Sequence, residues 1–400
     1  MLNKKHLGYL LCLGGLLTAA CRTQPSYPYQ IAGAQPDTLR YATLLELQRY
    51  GAATFCDILN PWDDTQLLAS YLLLPRDTLL LPAAEAQRLV AAYPQYTPLY
   101  IPLQRITLTT GCHAYLVDAL GAMDQVAVMC DASYTLVPAV AERLSQGLLV
   151  DGGSSVAPVG EVLRAVRSDV AWISPFENAG SALYTQCDVP VLFCADYMEH
   201  SPLARAEWMK LYGTLVGRRA EADSLFRLVE SHYLHLRTTP TDTAPKLLAE
   251  NIVGSAWYIP GGCSTLGQLY ADAGARYYWQ DDPHSGSLPL SPEAVLQRAQ
   301  DCDLWLLKYY QADSLLTLQA WADSHPYYPQ FKAVQQHNVY GCNTALSPYF
   351  DQSPFRPDLL LYHLRRILRP ELPATLCWAL DSLGERRDSV TDPGYFHRLQ

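Results

Sequence analysis

Short apolar runs alternate with amphipathic stretches along most of the chain. Runs at 105–109, 125–129, 170–173 and 189–195 read as buried strands, with amphipathic segments at 113–120, 162–166 and 179–185 between them. A helical stretch follows, in which Leu225, Val229, Tyr233 and Leu236 recur at helical spacing until Pro240 stops it. The rhythm then resumes, with strands at 247–253, 303–307 and 338–340 and helices at 265–273, 292–298 and 357–368. Strands alternating with helices predict parallel α/β sheets, and one helix between two such series predicts two α/β lobes. Ahead of them, the alternation Leu45-Glu46-Leu47 and the aliphatic YLLLP run, separated by NPWDD, predict a β-rich layer over 44–81. The last stretch, 371–400, reads as a helix and a loose polar tail, and no internal repeat is visible.

The amino terminus changes the picture from a bare α/β protein to an exported one. Lys4 and Lys5 precede an apolar stretch from Leu7 to Leu17, too short to cross a hydrocarbon core of about 30 Å but suited to a secretory signal. Leu17-Thr18-Ala19-Ala20-Cys21 resembles a bacterial lipobox, with Thr18 where leucine is usual, and this makes Cys21 the expected site of lipidation. The polar, proline-containing residues up to about 40 then serve as a tether. The resulting division is 1–20 signal peptide, 21–40 tether, 41–100 β-rich extension, 101–217 N-terminal lobe, 218–240 inter-lobe helix, 241–370 C-terminal lobe and 371–400 terminal helix and tail.

Composition narrows the function classes. With 49% hydrophobic and 17% charged residues, the 400-residue chain has ample material for cores and is not a disordered one. A net charge of -10 without a basic run argues against a nucleic-acid platform, since neutralising phosphates requires clustered Lys and Arg. The 27 Tyr and 8 Trp against 8 Phe give the aromatic surface polar handles that suit ligand faces. Nine cysteines follow Cys21, an odd number without CxxC or zinc spacing, and most read as buried thiols. Enzyme signatures are missing: there is no Walker A, GxSxG, HExxH or strand-to-helix GxGxxG pattern. Asp151-Gly152-Gly153-Ser154-Ser155 lacks the lysine of a phosphate loop and reads as a turn. Cys112-His113, adjacent on one element, is poorly placed to converge on one reacting atom. Neither catalysis nor a cofactor is expected.

Several stretches in order resemble one known group. RITL through HAYL and Leu120-Gly121, then DVAWISPFEN with CDVPVLFCADYMEHSPLARAEWMK, then DDPHSGSLPLSPEAVL with DCDLWLLKYY, are similar to the substrate-binding lipoproteins of bacterial iron-siderophore, haem and vitamin B12 ABC importers. The resemblance covers about 100–370 and leaves the early β-rich segment outside the family's minimal pattern. It implies two Rossmann-like lobes joined by a single long helix, the class III periplasmic binding fold, here carrying an N-terminal β-rich extension. It also implies that an iron complex or cobalamin is held between the lobes and delivered to an ABC permease, with no bond made or broken. One acidic residue on the outer face of each lobe would meet permease arginines, and Glu177 and Glu293 take those positions.

Ligands of open α/β sheets sit outside the carboxyl ends of the strands. That rule selects Thr110, His113, Ser174 and Tyr197 in the N-terminal lobe, and Trp257, Tyr258, Trp279, His284, Tyr309 and Tyr349 in the C-terminal lobe. Aromatic polar loops of this kind suit a large flat or chelated ligand. Two rival readings remain: a bare Zn or Mn ion held by His113, His200, Asp281 and His284, and a hydrolase working in the same cleft.

Overall fold

The computed structural model describes residues 30–175, 182–313, 315–380 and 386–400. The N-terminal lobe is built on a parallel five-stranded sheet in the order Val191–Phe193, Val170–Ile173, Ile106–Leu108, Val126–Met129, Val150–Asp151. The inner strands Ile106–Leu108 and Val170–Ile173 are buried end to end, as strands covered by helices on both faces must be. In the C-terminal lobe the order is Arg276–Tyr277, Lys246–Ala249, Leu304–Tyr309, Val339–Asn343, His397–Arg398, parallel except for the last.

A single helix, Arg219–Leu236, connects the lobes. Its buried residues Ala222, Phe226, Val229, Tyr233 and Leu236 step by three or four positions and form one apolar stripe. At 18 residues it is about 27 Å long. Gly217, at φ +69°, makes the turn that launches it. The helix is gripped on two flanks. Asp358 of the C-terminal-lobe helix Pro357–Leu368 faces His232 Nδ1 at 3.1 Å, and Arg365 donates to the Leu236 carbonyl at 2.7 Å. Asp37 and Tyr41, which precede the extension's long strands, reach Arg219 at 2.7 Å and Glu230 at 2.5 Å.

The extension is a five-stranded sheet, Gln35–Pro36, Leu45–Tyr50, Ala53–Leu59, Leu67–Pro75 and Thr97–Ile101, antiparallel but for its last pairing. The helix Ala83–Ala92 packs on one face over Phe55, Leu72, Leu74 and Tyr96. The other face, with Leu47, Ile58, Tyr71 and Leu73, joins the main core. Two fully buried carboxylates fix the approach. Glu207 accepts the backbone N–H groups of Arg40, Tyr41 and Ala42 at 2.7 to 3.0 Å, and Glu199 accepts those of Thr43 and Leu44 together with Trp208 Nε1. Burial alone would raise the Glu207 pKa, but Lys210 and those three amides outweigh it and hold the group below its usual value.

One expectation fails at the carboxyl end. The segment read as a helix is a hairpin, Thr375–Leu380 with Arg386–Thr391, followed by His397–Arg398 on the edge of the C-terminal-lobe sheet. Proline at 370 and 373 breaks a helix before Thr375, and the Thr375–Cys377 run then pairs across to Ser389–Thr391. Cys56, Cys112, Cys130, Cys187, Cys194, Cys302 and Cys342 are buried thiols. No helix among the described residues is long and apolar enough to cross a membrane.

Candidate functional site

Between the lobes lies a cavity of about 400 Å3. Its N-terminal-lobe wall includes Thr110, Asp131, Tyr134 and Arg205; its C-terminal-lobe wall includes Leu266, Tyr349, Phe350 and Asp351. Thr110 and Asp131 directly follow parallel strands, whose carboxyl ends place them at the rim.

Under the N-terminal wall runs a chain of buried polar groups. Thr110 Oγ1 lies 2.6 Å from His113 Nδ1, and His113 Nε2 lies 3.3 Å from Asp196 Oδ1. Asp196 also accepts Tyr212 Oη at 2.9 Å and Arg205 Nε at 3.0 Å, so the chain begins and ends at the cavity. Burial opposes the charge on Asp196, yet His113, Arg205 and Tyr212 outweigh it and keep the pKa low. Burial likewise works against the Arg205 cation, and Asp196 more than restores it. Arg205 thus presents a fixed positive charge, oriented from behind.

In the opposite wall Tyr349 opens the helix Tyr349–Gln352 and lies over Lys308 Nζ, 5.4 Å from the ring centroid. Burial pushes the Tyr349 phenol up to about 12, so it stays a neutral donor at ordinary pH. Lys308 pairs with Glu250 beneath it. The lobes also touch directly. Asp351 Oδ2 accepts the Leu136 N–H at 2.7 Å, Phe355 packs on His113 at 5.9 Å, and Tyr134 meets Tyr310 at 6.0 Å.

The structure brings only Thr110 and Tyr349, of the ten ligand residues selected from sequence, to the cavity wall. His113 stands one layer behind, 1% exposed, held edge-on to Trp172 and Tyr212. Trp257 has no exposed surface: it lies within the strand Ala256–Pro260, stacks on Trp305 at 5.1 Å and donates to the Ala249 carbonyl. Trp279 is buried under Arg298. These two tryptophans are core residues, because their apolar bulk is satisfied inside the lobe. Tyr258 and His284 are exposed away from this cavity, His284 beside Asp282. Ser174 is half-buried, and Tyr197 donates to the Pro175 carbonyl; neither lines the cavity. Tyr309 lines a different cavity, within the C-terminal lobe. Glu293 is in the first turn of Pro292–Ala299, accepting from the Tyr327 hydroxyl, while Glu177 and Cys21 lie outside the described residues. The histidines at 113, 200 and 284 do not gather with Asp281, and no group of three His, Cys, Asp or Glu able to hold a metal occurs among the described residues.

Sequence reasoning missed Arg205, Tyr134, Phe350 and Asp351. Arg205 sits inside a helix, Pro202–Glu207, rather than in a loop after a strand, so the strand-end rule passes over it. Phe350 and Asp351 follow Tyr349 on one short helix and could have been taken with it.

Two parallel α/β lobes joined by one long helix, with a cavity between them, define a class III periplasmic binding fold. Residues 185–346 match the family profile described as periplasmic binding protein. An uncharacterized lipoprotein of Methanocaldococcus jannaschii is 25% identical over 283 residues, covering 68% of this chain and 66% of its own length, so the match spans slightly under two thirds of that relative. Among solved structures, S. aureus IsdE complexed with heme superimposes with a TM-score of 0.53 at 17% identity, covering 66% of this chain and 98% of that one. A possible iron-binding periplasmic solute-binding protein from Staphylococcus epidermidis gives 0.52 at 14%, covering 67% and 99%. An ABC transporter substrate-binding protein from Listeria monocytogenes gives 0.51 at 16%, covering 67% and 99%. At these identities the likeness to the solved structures is one of fold. The chain is thus similar along its 185–346 segment to the periplasmic binding protein profile, and in fold to these solved structures.

Proposed function

We propose that this protein is the substrate-binding component of an ABC importer, exported and held to a bacterial membrane by a lipid on Cys21. It captures an iron complex, a siderophore or haem, or a corrinoid, in the inter-lobe cavity and hands it to the permease without chemical change. The observation that carries this reading is the composition of the cavity: a buttressed Arg205 with Tyr134 on its own wall and the aromatic faces of Tyr349 and Phe350 on the opposite one. Flat or chelated ligands bind well to aromatic faces, and carboxylate or hydroxamate edges of an iron complex pair with a guanidinium. Glu293, on an exposed helix start of the C-terminal lobe, and Glu177 of the N-terminal lobe dock the protein on permease arginines.

Absorption spectra and native mass spectrometry of the protein purified without refolding test the proposal, followed by titration with haemin, ferric hydroxamates and cyanocobalamin. Saturable binding of one of them at a single site is expected. A copurified bare Zn or Mn ion, or turnover of an added ester or phosphoester, would replace this reading with one of its rivals.

A further inference from the structure

A cavity larger than the one between the lobes lies among the described residues. A space of about 620 Å3 opens within the C-terminal lobe, against about 400 Å3 for the inter-lobe cavity, and falls in the 300–1,000 Å3 range usual for small-molecule sites. Its floor is the carboxyl end of the strands Leu304–Tyr309 and Val339–Asn343. One side is the turn through Leu346 and Pro348. The other is the segment Pro393–Gln400, laid back over the lobe by the pairing of Gly341 with His397 and Tyr340 with Arg398. Pro348 lines this cavity and its neighbour Tyr349 lines the inter-lobe one, so that single turn is the partition between them.

The wall chemistry selects a ligand class. Leucines at 315, 316, 346 and 399, with Tyr309 and Tyr395, line it, joined by Pro348 and Pro393. The one buried amide, Asn343, is spent internally: Oδ1 accepts the N–H groups of Gln311 and Ala345, and Nδ2 donates to the Gln311 carbonyl at 2.7 Å. The interior therefore asks for hydrocarbon. In a chain of net charge -10, no Asp or Glu among the described residues lines the cavity, whereas His397 and Arg398 do. Arg398 is steadied by its Nε donating to the His337 carbonyl at 2.7 Å.

We infer that this C-terminal-lobe cavity is a second binding site, for an amphiphile with an alkyl body and an anionic head, the body against the leucines and the head at His397 and Arg398. The inference does not depend on what the inter-lobe cavity binds. Calorimetric titration of the full chain with octanoate, decanoate and dodecanoate, each below its micellar concentration, tests it, with dodecyltrimethylammonium as the cationic counterpart. Affinity should rise on the order of fourfold per added methylene, and the cation should bind at least about tenfold more weakly than dodecanoate. Leu346→Trp, at an exposed wall position, should weaken dodecanoate by about tenfold or more by filling the space, and Arg398→Glu should erase the preference for the anion. Both variants should melt with the parent. No saturable heat with any of the carboxylates would overturn the inference. So would affinities unchanged by both substitutions, or binding lost in Arg205→Gln and retained in Leu346→Trp, which would seat the alkyl chain between the lobes.

Discussion

The carboxylate of Asp351, in the C-terminal lobe, accepts the backbone N–H of Leu136, in the N-terminal lobe, at 2.7 Å. The group is buried, and burial raises its pKa against the pull of the Leu136 amide and the Thr135 hydroxyl. Gly111 faces it, where any Cβ would collide with the carboxylate. Asp351→Ala leaves the Leu136 donor without its partner and should cost about 1–3 kcal/mol in denaturant melts. Gly111→Ala should push the lobes apart, read as a larger radius of gyration in solution scattering. Parent profiles with and without ligand should nearly superimpose, because bending a continuous helix breaks backbone hydrogen bonds. A clear contraction on loading would contradict this.

Arg205 is the cation that the cavity presents, and its Nε is committed to Asp196. Arg205→Gln should weaken an anionic iron complex by about 10- to 100-fold, the worth of one charged hydrogen bond. Arg205→Lys should recover part of that loss, since charge is kept while the planar fork is not. Equal affinity in the glutamine variant, measured by titration, would remove Arg205 from ligand recognition.

Glu199 and Glu207 predict how the extension is held. Glu199→Gln puts an amide NH2 among donors that need an acceptor, at about 1–3 kcal/mol for each donor left unmet. Amide hydrogen exchange should then quicken at residues 40–44 before it does in the lobe strands. Unchanged protection there would mean that the apolar face of the sheet, not the carboxylates, secures it.

Stability should fall at low pH partly through Asp392. Burial opposes its ionisation, but His363, the Gly394 amide and Arg366 hold its pKa well below the usual carboxylate range. The unfolded chain therefore binds the proton more readily than the folded one, so this contribution is present above about pH 4 and lost as pH falls towards the folded value. Asp392→Asn should be about 1.5–3 kcal/mol less stable at pH 7, the worth of hydrogen bonds to a charged group, with the gap narrowing below pH 4 in melts taken across pH. A gap independent of pH would assign the loss to packing of the terminal segment.

For Glu293, the expected outcome of Glu293→Ala is unaltered ligand affinity and melting with reduced transport or permease co-purification. The Tyr327 contact is exposed, and exposed pairs contribute about 0.2–1 kcal/mol, against roughly 1.5–7 for close charge pairs across an interface. Adding Glu177→Ala should deepen the transport loss. Normal uptake in the double variant would leave Glu293 as a helix-start carboxylate and nothing more.

The periodicities that sequence reveals are those of burial, and these served well for the fold. The recurrence of Val229, Tyr233 and Leu236 marks the inter-lobe helix, with Phe226 buried where the sequence pattern had Leu225, and runs such as VAWI mark strands covered on both faces. What burial does not encode is the direction in which an aromatic or polar side chain leaves its backbone. Trp257 and Trp279 could serve a pocket or a core equally well by type, and only the partners Trp305 and Arg298, distant in sequence, decide for the core. His113 is the converse case: its position after a strand is right, but Asp196 and Thr110 turn its ring inward. The hairpin after Thr375 escaped because its partner strand is polar, Arg386–Thr391, and offers little hydrophobic alternation.

The grip on the inter-lobe helix has a mechanical meaning. Arg219 and Glu230 are held from the extension, and His232 and Leu236 from Pro357–Leu368, so contacts engage the rod from its first residue to its last. A rod clamped in this way is an axle rather than a spring. A pull on the chain ahead of Asp37 would load the pairing of Gln35 and Pro36 with Arg49 and Gln48 first, and then, through Asp37 and Arg219, the axle itself.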